Sequence, residues 1–114
     1  MLSIIITTKN GSPTIERAIK SIQAQTEKDF EVIVISDAST DDTEEKVKKI
    51  SAEDSRVKLI SLNENVGPGK ARTLAIEQAQ GEFIAILDDD DLFYSAALKV
   101  DEMIMVRVAT LKKN

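Results

Sequence analysis

Four consecutive aspartates, Asp88 to Asp91, follow two apolar residues in the stretch ILDDDD, residues 86–91. Two like charges about 4 Å apart repel by roughly 1 kcal/mol in water and by roughly 4 kcal/mol at an effective dielectric of 20. A divalent cation relieves this repulsion, and two carboxylates two residues apart at a strand end can approach one octahedral ion, directly or through water. The run therefore predicts a cation site with open positions for phosphate oxygens; a solvated charge run is the simpler alternative.

The rest of the composition limits which cation this is. The sequence has no histidine and no cysteine, which excludes disulfides, thiolate metal sites and histidine acid–base chemistry. Carboxylates must then supply the metal ligands, and they favour a hard cation, Mg²⁺ or Mn²⁺.

The bulk properties predict a globular single domain over residues 1–114. Apolar residues make up 42% of the chain and charged residues 31%, and the net charge is −5. The basic residues are scattered, which argues against nucleic acid as a partner. No apolar run has the length of a membrane span and no signal peptide precedes the first one, so we expect a cytoplasmic protein without a membrane segment.

Four runs rich in isoleucine and valine predict β-strands at 2–7, 31–36, 57–62 and 82–87. The first, second and fourth are almost continuously apolar, as in strands of a parallel sheet that are buried on both faces. The third is interrupted by Lys58, which suggests an edge position.

Segments typical of helices lie between and after these runs. The predicted helices are 13–25, 39–50, 69–80 and 95–112. Ser12 is a candidate cap and Pro13 suits a first turn, while STDDTEEKVKKI begins with acids and ends with lysines, which matches a helix dipole. Gly81 is expected to stop the third helix. The alternation of strands and helices predicts an α/β fold with a parallel sheet.

Polar residues follow every predicted strand, and parallel strands bring their carboxyl ends to one edge, where open α/β sheets bind ligands. Each group also has a simpler explanation: Asp37 could begin a turn, Ser39 to Asp41 could cap a helix, and GPG at 67–69 could be only a loop. The functional alternative for GPG is a helix N-terminus that attracts phosphate, with Arg72 as a second donor. The residues at this edge are Thr7, Thr8, Lys9, Asn10, Ser36, Asp37, Asn63, Asn65, Lys70, Arg72 and the aspartates.

Two long stretches resemble the family 2 inverting glycosyltransferases. SIIITTKNGSPTIERAIKSIQAQTEKDFEVIVISDASTDDT is similar to the opening of that family, and NVGPGKARTLAIEQAQGEFIAILDDDDL is similar to its second block, which ends in a DXD motif. The resemblance covers residues 2 to about 98. It implies the nucleotide-sugar-binding half of the GT-A fold, a Rossmann-like open parallel sheet with helices on both faces.

The resemblance also implies roles for individual residues. Asp37 matches the acid that bonds the base, usually uracil; Asp88 matches the first acid of DXD and Asp90 its principal metal ligand. The implied nucleotide-binding residues are Thr7, Thr8, Lys9, Asp37, Arg72, Asp88 and Asp89, and the implied metal ligands are Asp88 and Asp90. The implied reaction is metal-dependent, inverting transfer of a sugar from a nucleoside-diphosphate sugar, such as a UDP-sugar, to a saccharide or lipid acceptor, with the inner membrane face as one location.

Three features depart from the family pattern. Lys9 stands where an aromatic residue often stacks on the base, and Ser36 replaces an acid before Asp37. No residue after Asp91 is a candidate general base, so the base is expected beyond Asn114. We therefore expect a truncated chain that binds nucleotide weakly, transfers no sugar alone and self-associates through exposed apolar surface.

Other classes remain open from the residues alone. A nucleotidyltransferase would need a glycine-rich signature after the first strand, where TTKNGSP has a single glycine. A phosphoacceptor receiver domain would need an acidic pair there. A non-catalytic nucleotide-binding module would keep the edge and lack the acceptor half.

Overall fold

A computed structural model describes residues 1–25 and 28–90. The strands are β1 (Leu2–Thr8), β2 (Phe30–Asp37), β3 (Val57–Leu62) and β4 (Phe83–Asp88). The helices are α1 (Ile15–Gln23), α2 (Thr43–Glu53) and α3 (Pro68–Gln78). Strands and helices alternate along this part of the chain, as the sequence predicted.

The four strands form one parallel sheet in the order β3-β2-β1-β4. The chain moves from β1 outward to β3 and then crosses back to place β4 on the free side of β1. The order of the strands therefore reverses between β1 and β4, and open α/β sheets bind ligands at such a topological switch point. The register sets Thr7 opposite Ile35 on one side and Asp88 on the other.

Helices cover both faces of the sheet, and each face has its own apolar cluster. Helices α1 and α2 share one cluster and α3 belongs to the other, as right-handed crossovers in opposite directions require. Because β1 and β2 contribute to both clusters, alternate residues of each pack on opposite sides. The first cluster centres on Ile4, Ile6, Ile15, Ile19, Val32, Val34 and Val47, and the second on Ile5, Ile33, Ile35, Ala71, Ala75 and Ile84.

Within the described residues, the predicted edge position of the third strand is confirmed. The fourth strand was predicted to be buried on both faces, and this prediction is wrong there. There β4 pairs only with β1, and Phe83 and Ile86 are 39% and 41% exposed. An apolar run alone does not distinguish an edge strand from a central one. The predicted helix at 95–112 lies outside the described residues. No helix within residues 1–25 and 28–90 has the length and apolar character needed to cross a membrane.

Three predicted helix signals were also wrong. Gly81 lies three residues beyond the end of α3 and does not stop it. Ser12 does not cap α1, because the helix begins at Ile15 and the Ser12 hydroxyl instead bonds the carboxylate of Asp42. The acids at the start of α2 are present in its first turn, but α2 continues to Glu53, so its lysines do not lie in the last turn.

A buried carboxylate ties the other end of the sheet together, where the strands begin. Glu31 on β2 is 2% exposed; it accepts hydrogen bonds from Ser3 at 2.6 Å, Lys58 at 2.8 Å and the backbone N–H of Gln80 at 2.7 Å. The Ser3 hydroxyl in turn accepts from the N–H of Gly81 at 2.9 Å. This amino-edge network (Glu31, Ser3, Lys58, Gln80 and Gly81) therefore joins β1, β2 and β3 to the segment that leads into β4.

Burial raises the pKa of Glu31, but the hydrogen bonds from Lys58, Ser3 and Gln80 together lower it more, so the net shift is downward from 4.5. A carboxylate whose pKa is lower in the folded state stabilises the fold above its unfolded-state pKa. The contribution of Glu31 is therefore complete above about pH 4.5 and is lost as the pH falls through the lower, folded-state pKa.

We predict that Glu31→Gln lowers the free energy of unfolding at pH 7 by about 2–3 kcal/mol, since charge-assisted hydrogen bonds are lost in a buried position. The difference from wild type should shrink as the pH is lowered below 4.5. Urea unfolding at stepped pH measures both effects. The control is Glu77→Gln on the exposed face of α3, which should change stability by less than about 0.5 kcal/mol. A difference that persists unchanged in acid would contradict the role assigned to Glu31.

Candidate functional site

The polar residues predicted from the strand ends do meet along one edge of the sheet, the carboxyl edge, where β1 to β4 end. Helix α3 begins at the same edge, because it runs antiparallel to the strands on its way to β4. Two residues just beyond strand ends, Asn10 and Ala38, have positive φ angles of 55° and 59°. Such backbone is costly for alanine, and strain of this kind is concentrated at functional sites.

The acidic turn (Asp88, Asp89 and Asp90) lies at the topological switch point. Asp89 is half-buried and accepts a hydrogen bond from the hydroxyl of Thr8 at 2.7 Å. Thr8, the last residue of β1, is only 3% exposed. Two of the predicted nucleotide-binding residues are therefore bonded to each other across the junction of β1 and β4.

Asp88 and Asp90, the predicted metal ligands, differ from Asp89. Both are exposed, and neither carboxylate makes a hydrogen bond or an ion pair with residues 1–25 or 28–90. Asp91 lies outside the described residues. No three carboxylate, histidine or cysteine side chains in the described ranges are close enough to form a complete metal site. The two free carboxylates nevertheless fit a hard cation whose other positions are filled by phosphate oxygens or water.

Asp37 ends β2 and is 5% exposed. One of its oxygens accepts from the backbone N–H of Val66 at 2.7 Å, and the other accepts from that of Gly67 at 2.9 Å. Asp37 thus fixes the loop that begins α3, where Gly67 has a φ of 90°. Each carboxylate oxygen has two lone pairs, so Asp37 retains capacity to accept another hydrogen bond.

Arg72 lies in the second turn of α3, and its buried Nε has no hydrogen-bond partner among residues 1–25 and 28–90. It is half-buried overall and bonds none of the aspartates within the described residues. An unpaired buried donor costs free energy, and in a native structure it often points to a missing ligand or ion. A guanidinium near a helix N-terminus, where the helix dipole is positive, fits an anionic group such as phosphate.

The remaining predicted residues show fewer constraints. Lys9 is exposed and Thr7 is half-buried, and neither side chain makes a hydrogen bond within the described ranges. Lys70, in the first turn of α3, is also exposed. These side chains are free to contact a ligand, but the structure does not bring them together with Asp37 or Arg72 through any direct bond.

A network that the sequence did not reveal joins the loops after β1 and β2. The Asn10 side-chain oxygen accepts from the backbone N–H groups of Thr40 at 2.7 Å and Asp41 at 3.3 Å, and the Asn10 N–H donates to Ser39 at 3.0 Å. Asp41 accepts in turn from the N–H groups of Thr43 at 3.0 Å and Ser12 at 3.3 Å. Asp41 also accepts from the Thr43 hydroxyl, and this bond, more than the two backbone bonds, lowers the pKa of Asp41. The Asn-Gly pair at 10–11 was the one available signal, because asparagine tolerates a left-handed turn.

Ser36, which replaces an acid of the family pattern, also has a defined environment. Its hydroxyl lies 2.9 Å from the Glu44 carboxylate and 2.9 Å from the Ser39 hydroxyl. Glu44 also accepts from Ser61 on β3 at 2.7 Å. An acid therefore does stand beside the end of β2, but it comes from α2.

Comparison with known proteins matches this chain to the family described as glycosyl transferase family 2, over residues 3–100. A relative from Campylobacter jejuni, named GalNAc(5)-diNAcBac-PP-undecaprenol beta-1,3-glucosyltransferase, is 46% identical over 99 residues, which are 85% of this chain and 32% of the relative.

Two solved structures have the same fold. S. aureus TarS in complex with UDP-GlcNAc has a TM-score of 0.79 and 34% identity over 93% of this chain and 31% of TarS. The mannosyltransferase PcManGT from Pyrobaculum calidifontis, in complex with GDP-Man and Mn²⁺, has a TM-score of 0.80 and 27% identity over 92% of this chain and 32% of that protein.

The present chain spans about a third of the length of each of these proteins. The family match covers most of the chain, and the order of strands and helices agrees with the sequence resemblance. The chain therefore belongs to glycosyl transferase family 2, and its α/β sheet is the Rossmann-like N-terminal part of a GT-A fold.

Proposed function

We propose that the carboxyl edge binds a nucleoside-diphosphate sugar, with UDP as the nucleotide, and that the chain contributes this donor site to a glycosyltransferase. The observation that carries the proposal is the pair of free carboxylates, Asp88 and Asp90, held at the switch point of the sheet beside β1. The UDP-GlcNAc complex of TarS and the GDP-Man and Mn²⁺ complex of PcManGT support the ligand class.

A hard divalent cation, Mn²⁺ or Mg²⁺, fits the chemistry of these two carboxylates. Asp88 and Asp90 would hold it, and it would supply positive charge to the diphosphate leaving group. Arg72 supplies a second positive charge to the same diphosphate, and its unpaired Nε gains an acceptor.

The nucleoside is assigned to the part of the edge between β1 and β2. Asp37 accepts a hydrogen bond from the base through a remaining lone pair, while its existing bonds keep the carboxylate in place. Thr7 and Lys9 line the same end of β1 and complete the proposed contacts. A flexible lysine in place of a stacked aromatic ring would leave the base less tightly held.

The proposed reaction is a single displacement that inverts the anomeric carbon. The acceptor hydroxyl attacks from the face opposite the diphosphate, and we assign the general base to no residue of this chain. The printed name of the C. jejuni relative, which specifies an undecaprenol diphosphate, supports a lipid-linked acceptor. Such an acceptor would place the reaction at the cytoplasmic face of a membrane.

Metal-dependent binding provides the first test. We predict that UDP binding is detectable by calorimetry with Mn²⁺ and at least about tenfold weaker without it, since the diphosphate needs the counter-charge. Asp90→Ala should reduce affinity in Mn²⁺ to the level measured without metal. Glu53→Ala, which removes one exposed charge at the end of α2, is the matched control and should bind as wild type does. Metal-independent UDP binding, or stronger binding of UTP than of UDP-sugar, would overturn the proposal.

Arg72 provides the second test, because it links stability and binding. We predict that Arg72→Met weakens UDP binding at least about tenfold, as expected for loss of a charge-assisted hydrogen bond worth about 1.5–3 kcal/mol. The free energy of unfolding should stay the same or rise by up to about 1 kcal/mol, because the substitution removes an unpaired buried donor.

Calorimetry and urea unfolding measure the two effects, with Arg17→Met on the exposed face of α1 as the control for both. A loss of stability above about 1 kcal/mol in Arg72→Met would mean that the arginine stabilises the fold, which would contradict its assignment to the ligand.

A further inference from the structure

We infer that Asp89 is a positioning residue, which Thr8 holds so that Asp88 and Asp90 stay directed to the ligand side of the carboxyl edge. This inference rests on the proposed donor site and assigns roles within it. It differs from the resemblance-based interpretation, in which Thr8 and Asp89 touch the nucleotide themselves. One hydrogen bond with a buried donor fixes Asp89, and the chain fills the space beside that bond.

The donor side of the bond is rigid. Thr8 is 3% exposed at the end of β1, which pairs with β2 and β4 and packs on both faces. A threonine side chain has few χ1 rotamers, so the strand fixes the direction of its hydroxyl. A buried hydroxyl also needs a partner, and Asp89 Oδ2 at 2.7 Å is the one the structure provides.

The loop after β1 passes directly over this bond. A Cβ atom built on Gly11 would lie 2.3 Å from the Thr8 hydroxyl oxygen and 2.5 Å from Asp89 Oδ2, far inside van der Waals contact. Gly11 is buried, and its carbonyl accepts the N–H groups of Thr14 and Ile15 at the start of α1. The chain itself therefore occupies one side of the Thr8–Asp89 pair and leaves no room there for a ligand group.

Fixing Asp89 has a consequence for its neighbours. Three adjacent carboxylates repel one another, and without an anchor the acidic turn would relax to separate them. A bond from the middle carboxylate to β1 holds the turn against that repulsion. Asp88 and Asp90 on either side of it are exposed and form no bond with the described residues, so they are available to a cation.

The bond places a specific demand on residue 89. The Thr8 hydroxyl needs an acceptor oxygen at that position, and either a carboxylate or an amide can supply one. A residue that contacts a cation or a ribose through its charge would instead need the carboxylate. Asp89→Asn separates these two roles, and Thr8→Ser keeps the hydroxyl donor.

The test is a double-mutant cycle on the dissociation constant of UDP in saturating Mn²⁺, measured by calorimetry on the 114-residue protein. Thr8→Val and Asp89→Ala should each weaken UDP binding about five- to tenfold. The affinity of the double variant should be no lower than that of the single variant with the lower affinity. Asp89→Asn and Thr8→Ser should restore affinity to within about threefold of wild type. Gly11→Ala should weaken binding as Asp89→Ala does, because the added methyl displaces the carboxylate.

Each other outcome overturns the inference in a recognisable way. If the wild-type protein binds no UDP, both the proposed donor site and the positioning role of Asp89 are refuted. A second outcome is that the wild-type protein binds UDP while Asp89→Asn binds it as weakly as Asp89→Ala, or while the affinity losses of the two single variants multiply in the double variant. This outcome leaves the donor site intact and shows that Asp89 acts through its charge. If Thr8→Val does not fold, the comparison of Asp89→Ala with Asp89→Asn decides alone, since Asp89 lies in a half-buried turn outside the core.

Discussion

The central position of β1 is the constraint on which the rest of the structure depends. The strand is paired on both edges and packed on both faces, so nothing about its position can change without disturbing both apolar clusters. The chain reverses its direction of travel across the sheet at this strand. The crevice created by that reversal contains the end of β1 and the acidic turn, and its shape depends on the position of β1.

The carboxyl edge contains features that oppose folding, and the two clusters offset them. Ala38 has a positive φ, Arg72 buries an unpaired donor, and three aspartates are adjacent. Each is unfavourable for the isolated chain, while the strand interiors are apolar and closely packed. A site that awaits a charged ligand is expected to differ from the core in this way, because local rules of stability are broken where binding restores them.

The sequence was sufficient to predict the α/β fold, the parallel sheet, the edge position of β3 and the edge at which polar residues meet. These follow from periodicity, which is local. Pairings between distant residues could not be read: Thr8 with Asp89, Asp37 with the N–H groups of residues 66 and 67, and Glu31 with Lys58. Each depends on register or loop path rather than residue type. The partial exposure of β4 was not predicted for the same reason, because central strands and edge strands can have the same apolar sequence pattern.

The amino-edge network also helps to fix the register of β4, and so affects the opposite end of the sheet. Glu31 and Ser3 hold the N–H groups of Gln80 and Gly81, and six strand residues later β4 ends at Asp88. Side chains alternate between the two faces of a strand, so a slip of one residue would exchange the faces of neighbouring positions. A buried glutamate at the far end of the sheet thereby helps to set the register at which β4 delivers the acidic turn to Thr8. One residue inserted or deleted between 81 and 83 would shift that register while preserving every acidic side chain.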